Sequence, residues 1–81
     1  MCRLPRRLRV LDYTIRVEQL GDRQFDAEAG PDRDAEWEQD DDLRTGVIRL
    51  RRHLPAWRKR QLLLHELIHA INDFLHAETA P

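Results

Sequence analysis

The residues QLLLHELIHAINDFLH, 61–76, are where the chain commits itself to a structure. At ~100° per residue a helix gathers Leu63, Leu64, Leu67, Ile68, Ala70, Ile71, Phe74 and Leu75 into one broad apolar arc. His65, Glu66, His69, Asn72, Asp73 and His76 fall on the opposite arc, with Leu62 the one apolar residue among them. The spacing predicts a helix from about Ala56 to about His76 whose apolar arc packs on a sheet. Pro55 suits a first helical position. No Ser, Thr, Asp or Asn precedes it as a cap, so the start is fixed only to within a few residues.

Working outward, LDYTIRVE (11–18) alternates cleanly. Leu11, Tyr13, Ile15 and Val17 face one way, and Asp12, Thr14, Arg16 and Glu18 the other. Period two with β-branched residues predicts a half-buried strand over 8–19, ended by Gly21. Gly46 opens GVIRLRR, a second strand over 46–52, with its arginines on the solvent face or at a sheet edge. Between the strands, Asp22 to Asp42 holds ten acids and two arginines, a charge of −8 in a chain of net −1, which leaves +7 elsewhere. Phe25 and Trp37 are its only large apolar residues, and Gly30-Pro31 breaks it. Residues 22–45 therefore read as a long acidic loop, solvated or partly disordered, or else a flap or acidic contact surface. The expected fold is α+β: a small, largely antiparallel sheet packed on one long C-terminal helix, in a single domain spanning 1–81.

Composition narrows the setting. With 81 residues the core is modest, and a metal or a partner would add needed stability. Cys2 is the only cysteine, so no internal disulfide forms, which fits a reducing cytoplasm. MCRLPRRLRV has charge but no apolar core of a signal peptide, and no apolar run approaches the ~18 residues of a membrane span. A cytoplasmic protein with no membrane partner is the expectation. Arginines 3, 6, 7, 9, 49, 51, 52, 58 and 60 raise nucleic-acid binding, but aromatic interleaving is sparse and no motif is present, which disfavours it.

The polar arc of the helix carries chemistry. A plain solvent-facing stripe would use Lys, Glu and Arg, and this one has no Lys or Arg. His65-Glu66-Leu67-Ile68-His69 is H-E-x-x-H, a pattern that arises by chance in a chain this long on the order of a per cent of the time or less. Residues i and i+4 project from one helix face ~6 Å apart. Two imidazoles there can share a Zn²⁺ at ~2.1 Å each. Glu66, one residue on, serves as general base toward water and then as acid toward the leaving amine.

A catalytic zinc takes a third protein ligand. His76 lies ~16 Å and Asp73 ~12 Å along a straight helix from His65, out of reach, and no glycine between Ala70 and Leu75 breaks the helix. Asp73 is expected to hydrogen-bond a ligand histidine instead, and His53 to be an ordinary loop residue. Three routes stay open: water, a tail residue such as Glu78 folding back after Leu75, or a side chain from a second molecule. An open or intermolecular site, in a homo-oligomer, is favoured.

At HELIHAIND the chain resembles the H-E-x-x-H zinc metallopeptidases, nearest to the gluzincins, which place an Asp four residues after the second His. LDYTIRVEQL, GVIRLRR and RQLLLHELIHAI, in that order, resemble short phage and bacterial metallopeptidase-like proteins of the ImmA/IrrE kind. The resemblance covers residues 8–20 and 46–76. It implies Zn²⁺ on His65 and His69, Glu66 as the catalytic residue and a peptide or protein substrate. The acidic stretch is longer than the usual connection, and the later helix that carries the family's third, acidic ligand has no counterpart. The expectation is thus a zinc-dependent metallopeptidase-like protein. The alternative is a catalytically weak or degenerate relative acting as a regulatory, protein-binding module of a phage or mobile element.

Overall fold

A computed structural model describes residues 4–79, and side chains as far as residue 77. The elements run β1 (Arg7–Val10), β2 (Tyr13–Leu20), α1 (Asp22–Ala29), β3 (Ala35–Gln39), β4 (Thr45–Arg51) and α2 (Ala56–Thr79). The four strands form one mixed sheet in the order β1-β2-β4-β3. The fold is α+β, and the long C-terminal helix packs on the sheet as expected. The outer pairs, β1–β2 and β3–β4, are antiparallel. The two strands foreseen in the sequence, β2 and β4, run parallel, with Val17 beside Ile48.

Three expectations are corrected. The strand over 8–19 is a hairpin: the chain reverses at Leu11-Asp12, and Leu11 has φ 56° and is 80% exposed instead of facing inward. The acidic stretch folds. Phe25 is fully buried and anchors α1, and Ala35 and Trp37 place β3 against β4. The β4 arginines are neither solvated nor at an edge, because β4 is an interior strand. Arg51 is 7% exposed. Its guanidinium meets Asp26 at 2.5 Å, Asp22 at 3.1 Å and Asp34 at 3.5 Å, and stacks 4.5 Å from the Phe25 ring. Arg49 meets Glu36 and Glu38 at 2.8 Å and Glu28 at 3.0 Å. Acids 22–38 thus cover the sheet face opposite α2 by pairing with two strand arginines. Buried cations are tolerated only when paired and hydrogen-bonded in this way. Burial pulls the Arg49 pKa down, but hydrogen bonds to Glu38 and Glu36 outweigh it and raise it.

The main core lies between the other sheet face and α2. Tyr13, Ile15, Val17, Ala35, Ile48 and Leu50 meet Ala70 and Phe74. Phe74 stacks on Tyr13, centroids 4.2 Å apart, and meets the edge of Trp37 at 5.4 Å. Gly46 is required at its position: a Cβ there would run into the Trp37 ring and stand 2.6 Å from the Glu38 carbonyl oxygen. The bare strand lets the indole lie flat and reach α2.

Helix α2 is rolled relative to its expected orientation. Ala70 and Phe74 are buried and Leu63 and Leu67 partly so. Leu64, Ile68 and Leu75 are 63%, 68% and 56% exposed and do not pack on the sheet. The roll is set by the ring stacks at Phe74 and by Trp37, whose Nε1–H donates to Asp73 Oδ2 at 2.8 Å. That bond pins position 73 toward the sheet edge and turns positions 64, 68 and 75 outward.

Candidate metal centre

The roll decides what the histidines can do. His65 and His69 lie on one exposed side of α2, their Nε2 atoms 3.2 Å apart and their rings at 75° with centroids 4.7 Å apart. A tetrahedral zinc with Zn–N bonds of ~2.0–2.1 Å separates its nitrogens by about 3.3–3.4 Å. The pair therefore stands within a few tenths of an ångström of the edge of such a tetrahedron. Helix α2 supplies this rigidly, since one turn fixes the two Cα positions and no loop intervenes.

Glu66 was expected on the outward arc, away from the sheet. Its side chain is instead only 13% exposed, with Oε2 4.0 Å from His65 Nε2. It lines a cleft of about 490 Å³ together with His69 and Asp73 of α2, Ala35 and Trp37 of β3, and Asp32 and Arg33 of the loop before β3. Three carboxylates against one guanidinium favour a cation there. The cleft opens along β3, an edge strand of the sheet.

The other candidate ligands go elsewhere. Asp73 carboxylate accepts the Trp37 N–H, so its structural role is to tie α2 to β3. His53 Nδ1 lies 2.9 Å from Asp22 Oδ1, at the start of α1. His76 stays on the uninterrupted helix, eleven residues beyond His65. The side chain of Glu78 lies outside the described residues. Among the described residues, no group of three His, Cys, Asp or Glu side chains converges to hold a metal. The arrangement offers two imidazoles, an adjacent carboxylate and an open cleft.

The cleft wall on β3 was hidden in the segment read as an acidic loop. Its signal was present: Ala35-Glu36-Trp37-Glu38 alternates apolar and acidic residues, the period of a half-buried strand. Compared with known protein families, curated proteins and solved structures, the chain matches none. Among the described residues no helix is long and apolar enough to cross a membrane.

Proposed function

We propose that the chain is a zinc-dependent metallopeptidase-like protein that acts on an extended peptide held against β3. The observation that carries this is the His65–His69 pair, Nε2 to Nε2 3.2 Å, with Glu66 beside it on the cleft wall. His65 and His69 would hold the metal. When bound, zinc supplies Lewis acidity, polarising a carbonyl and acidifying water. Glu66 takes the proton of the attacking water and delivers it to the leaving amine. Its partial burial keeps the carboxylate in place, and the nearby acids disfavour a second anion in the cleft. Unpaired N–H and C=O groups along an edge strand add an extended peptide by backbone hydrogen bonds. A peptide so bound would run past the mouth of the cleft that Glu66 and His69 line.

A second reading starts from the pair itself, the two imidazoles of His65 and His69. A metal held by two imidazoles is loosely anchored, and such a chain fits a catalytically weak, regulatory module that binds the same peptides without cutting them. Glu66→Gln separates the readings. In a peptidase, the variant keeps zinc and loses cleavage of unstructured peptides by about 100-fold or more. In a binding module, the wild type shows no zinc-dependent cleavage to lose.

A further inference from the structure

Trp57, Leu64, Ile68, Ile71 and Leu75 form an exposed apolar stripe along α2, 63%, 63%, 68%, 36% and 56% exposed. A folded chain rarely leaves five large apolar side chains in one contiguous line, since patches of a few hundred Å² mark interaction sites. With Gln61 the positions run 57, 61, 64, 68, 71, 75, steps of four and three in strict alternation. That is the a/d seam of a helix pair, narrower than the arc a sheet requires.

We infer that the stripe is the interface of a two-fold dimer in which the α2 helices of two copies pack antiparallel. The pattern is its own complement when reversed. Centred on Glu66, the two-fold sets Trp57 opposite Leu75, Gln61 opposite Ile71 and Leu64 opposite Ile68, each pair twice, with no seam position left over. Closed symmetry of this kind is the commonest way for a chain to bury its own apolar face. Charge chooses the direction. Arg58 and Arg60 flank the seam in the first turns of α2, Arg58 donating to Gln61 Oε1, while Lys59 turns away to Gln19 of β2. Parallel pairing would crowd both sets of cations together at the end where the helix dipole is already positive. Antiparallel pairing sets them against the C-terminal half of the partner, where it is negative. Two such stripes bury on the order of 1,000 Å² between them, within the range of specific interfaces.

The dimer does not depend on the zinc reading. The seam lies on a different side of α2 from Glu66 and Asp73, which face the cleft. Neither Glu66 nor Asp73 is a seam position, so pairing along the stripe does not use the cleft-lining side chains.

Sedimentation velocity on the full chain tests the inference. The chain is expected to move at twice its 9.7 kDa mass at about 100 µM. Ile68→Lys, at an exposed position outside the core and the histidine pair, should weaken association at least about tenfold with an unchanged circular dichroism spectrum. A chain monomeric at that concentration, or a dimer indifferent to Ile68→Lys, would overturn the proposal and leave the stripe to a different protein. Orientation has its own readout, which also serves if Ile68→Lys fails to fold. In a Cys2→Ser background, a mixture of Trp57→Cys and Leu75→Cys chains should oxidise to mixed disulfides. Disulfides joining like positions only would overturn the antiparallel arrangement.

Discussion

Glu66 is the residue on which the proposed chemistry turns, and its neighbours test its setting. His69→Ala removes one of two converging nitrogens and should abolish zinc binding at this site. Glu66→Gln should leave zinc binding in place, because Glu66 stands beside the pair and is not needed to hold the metal. Gly46 is the second telling residue. Gly46→Ala forces the Trp37 ring off β4 and should destabilise the chain by about 1–3 kcal/mol in urea unfolding. Asp42 offers a pH readout. The Arg44 backbone N–H, and then Thr45, donate to its carboxylate and hold its pKa below the usual aspartate value. A depressed native pKa contributes stability that is present above the unfolded pKa and fades as pH falls through the folded one. Protection of the amides in the 40–45 turn, taken relative to an unstructured peptide at the same pH, should therefore fall below about pH 4, and Asp42→Asn should flatten that dependence. At this scale the adjacency of His65 and His69 on one side of the helix was legible from their spacing, whereas the partial burial of Glu66 was not. The position of Asp73 was legible, but its partner was not, because Trp37 lies 36 residues away in a strand that the acid-rich composition concealed.

At the scale of elements, the lesson is the roll of α2. A helical arc of eight apolar residues says that one side is apolar, but not which edge of that side meets the sheet. Phe74 on Tyr13 and Trp37 on Asp73 settle it, and both are long-range contacts that no local pattern encodes. The roll makes a sharp prediction. Phe74→Ala should cost about 3–5 kcal/mol, whereas Ile68→Ala, measured on dilute and therefore monomeric chain, should cost about 0.5 kcal/mol or less. Comparable losses at the two positions would mean that α2 sits in the orientation expected from the arc alone. Strands β2 and β4 were readable from their alternation, but their parallel pairing was not, since it follows from α1 and β3 intervening as a crossover. Those two elements were missed because their cohesion comes from Arg49 and Arg51 pairing across the sheet, with Phe25 as the only large apolar anchor of α1. Arg51→Ala should therefore lower the melting temperature and loosen 22–34 to proteolysis before the core of β2 and β4 opens, because it strands Asp22, Asp26 and Asp34 together.

At the scale of the whole molecule, a long helix serves three surfaces at once. One side builds the core with the sheet, a second carries Glu66 and His69 on the wall of a cleft beside an edge strand, and a third carries the exposed apolar stripe. A small core gives such a chain little stability to spare, so ligands that bind only the folded form should show strongly in its melting curve. If the proposed site binds zinc, the metal at one hundred times its dissociation constant would add about 2.7 kcal/mol, a rise on the order of 10 °C for a domain of this size. The rise should vanish with chelator and in His69→Ala. The most direct test of the central claim is X-ray absorption at the zinc edge on the chain loaded with one equivalent of metal. Two imidazole nitrogens at about 2.0–2.1 Å completed by oxygen, with the histidine signal lost in His69→Ala, is the predicted result. A zinc environment without imidazole, or one unchanged by His69→Ala, would contradict it.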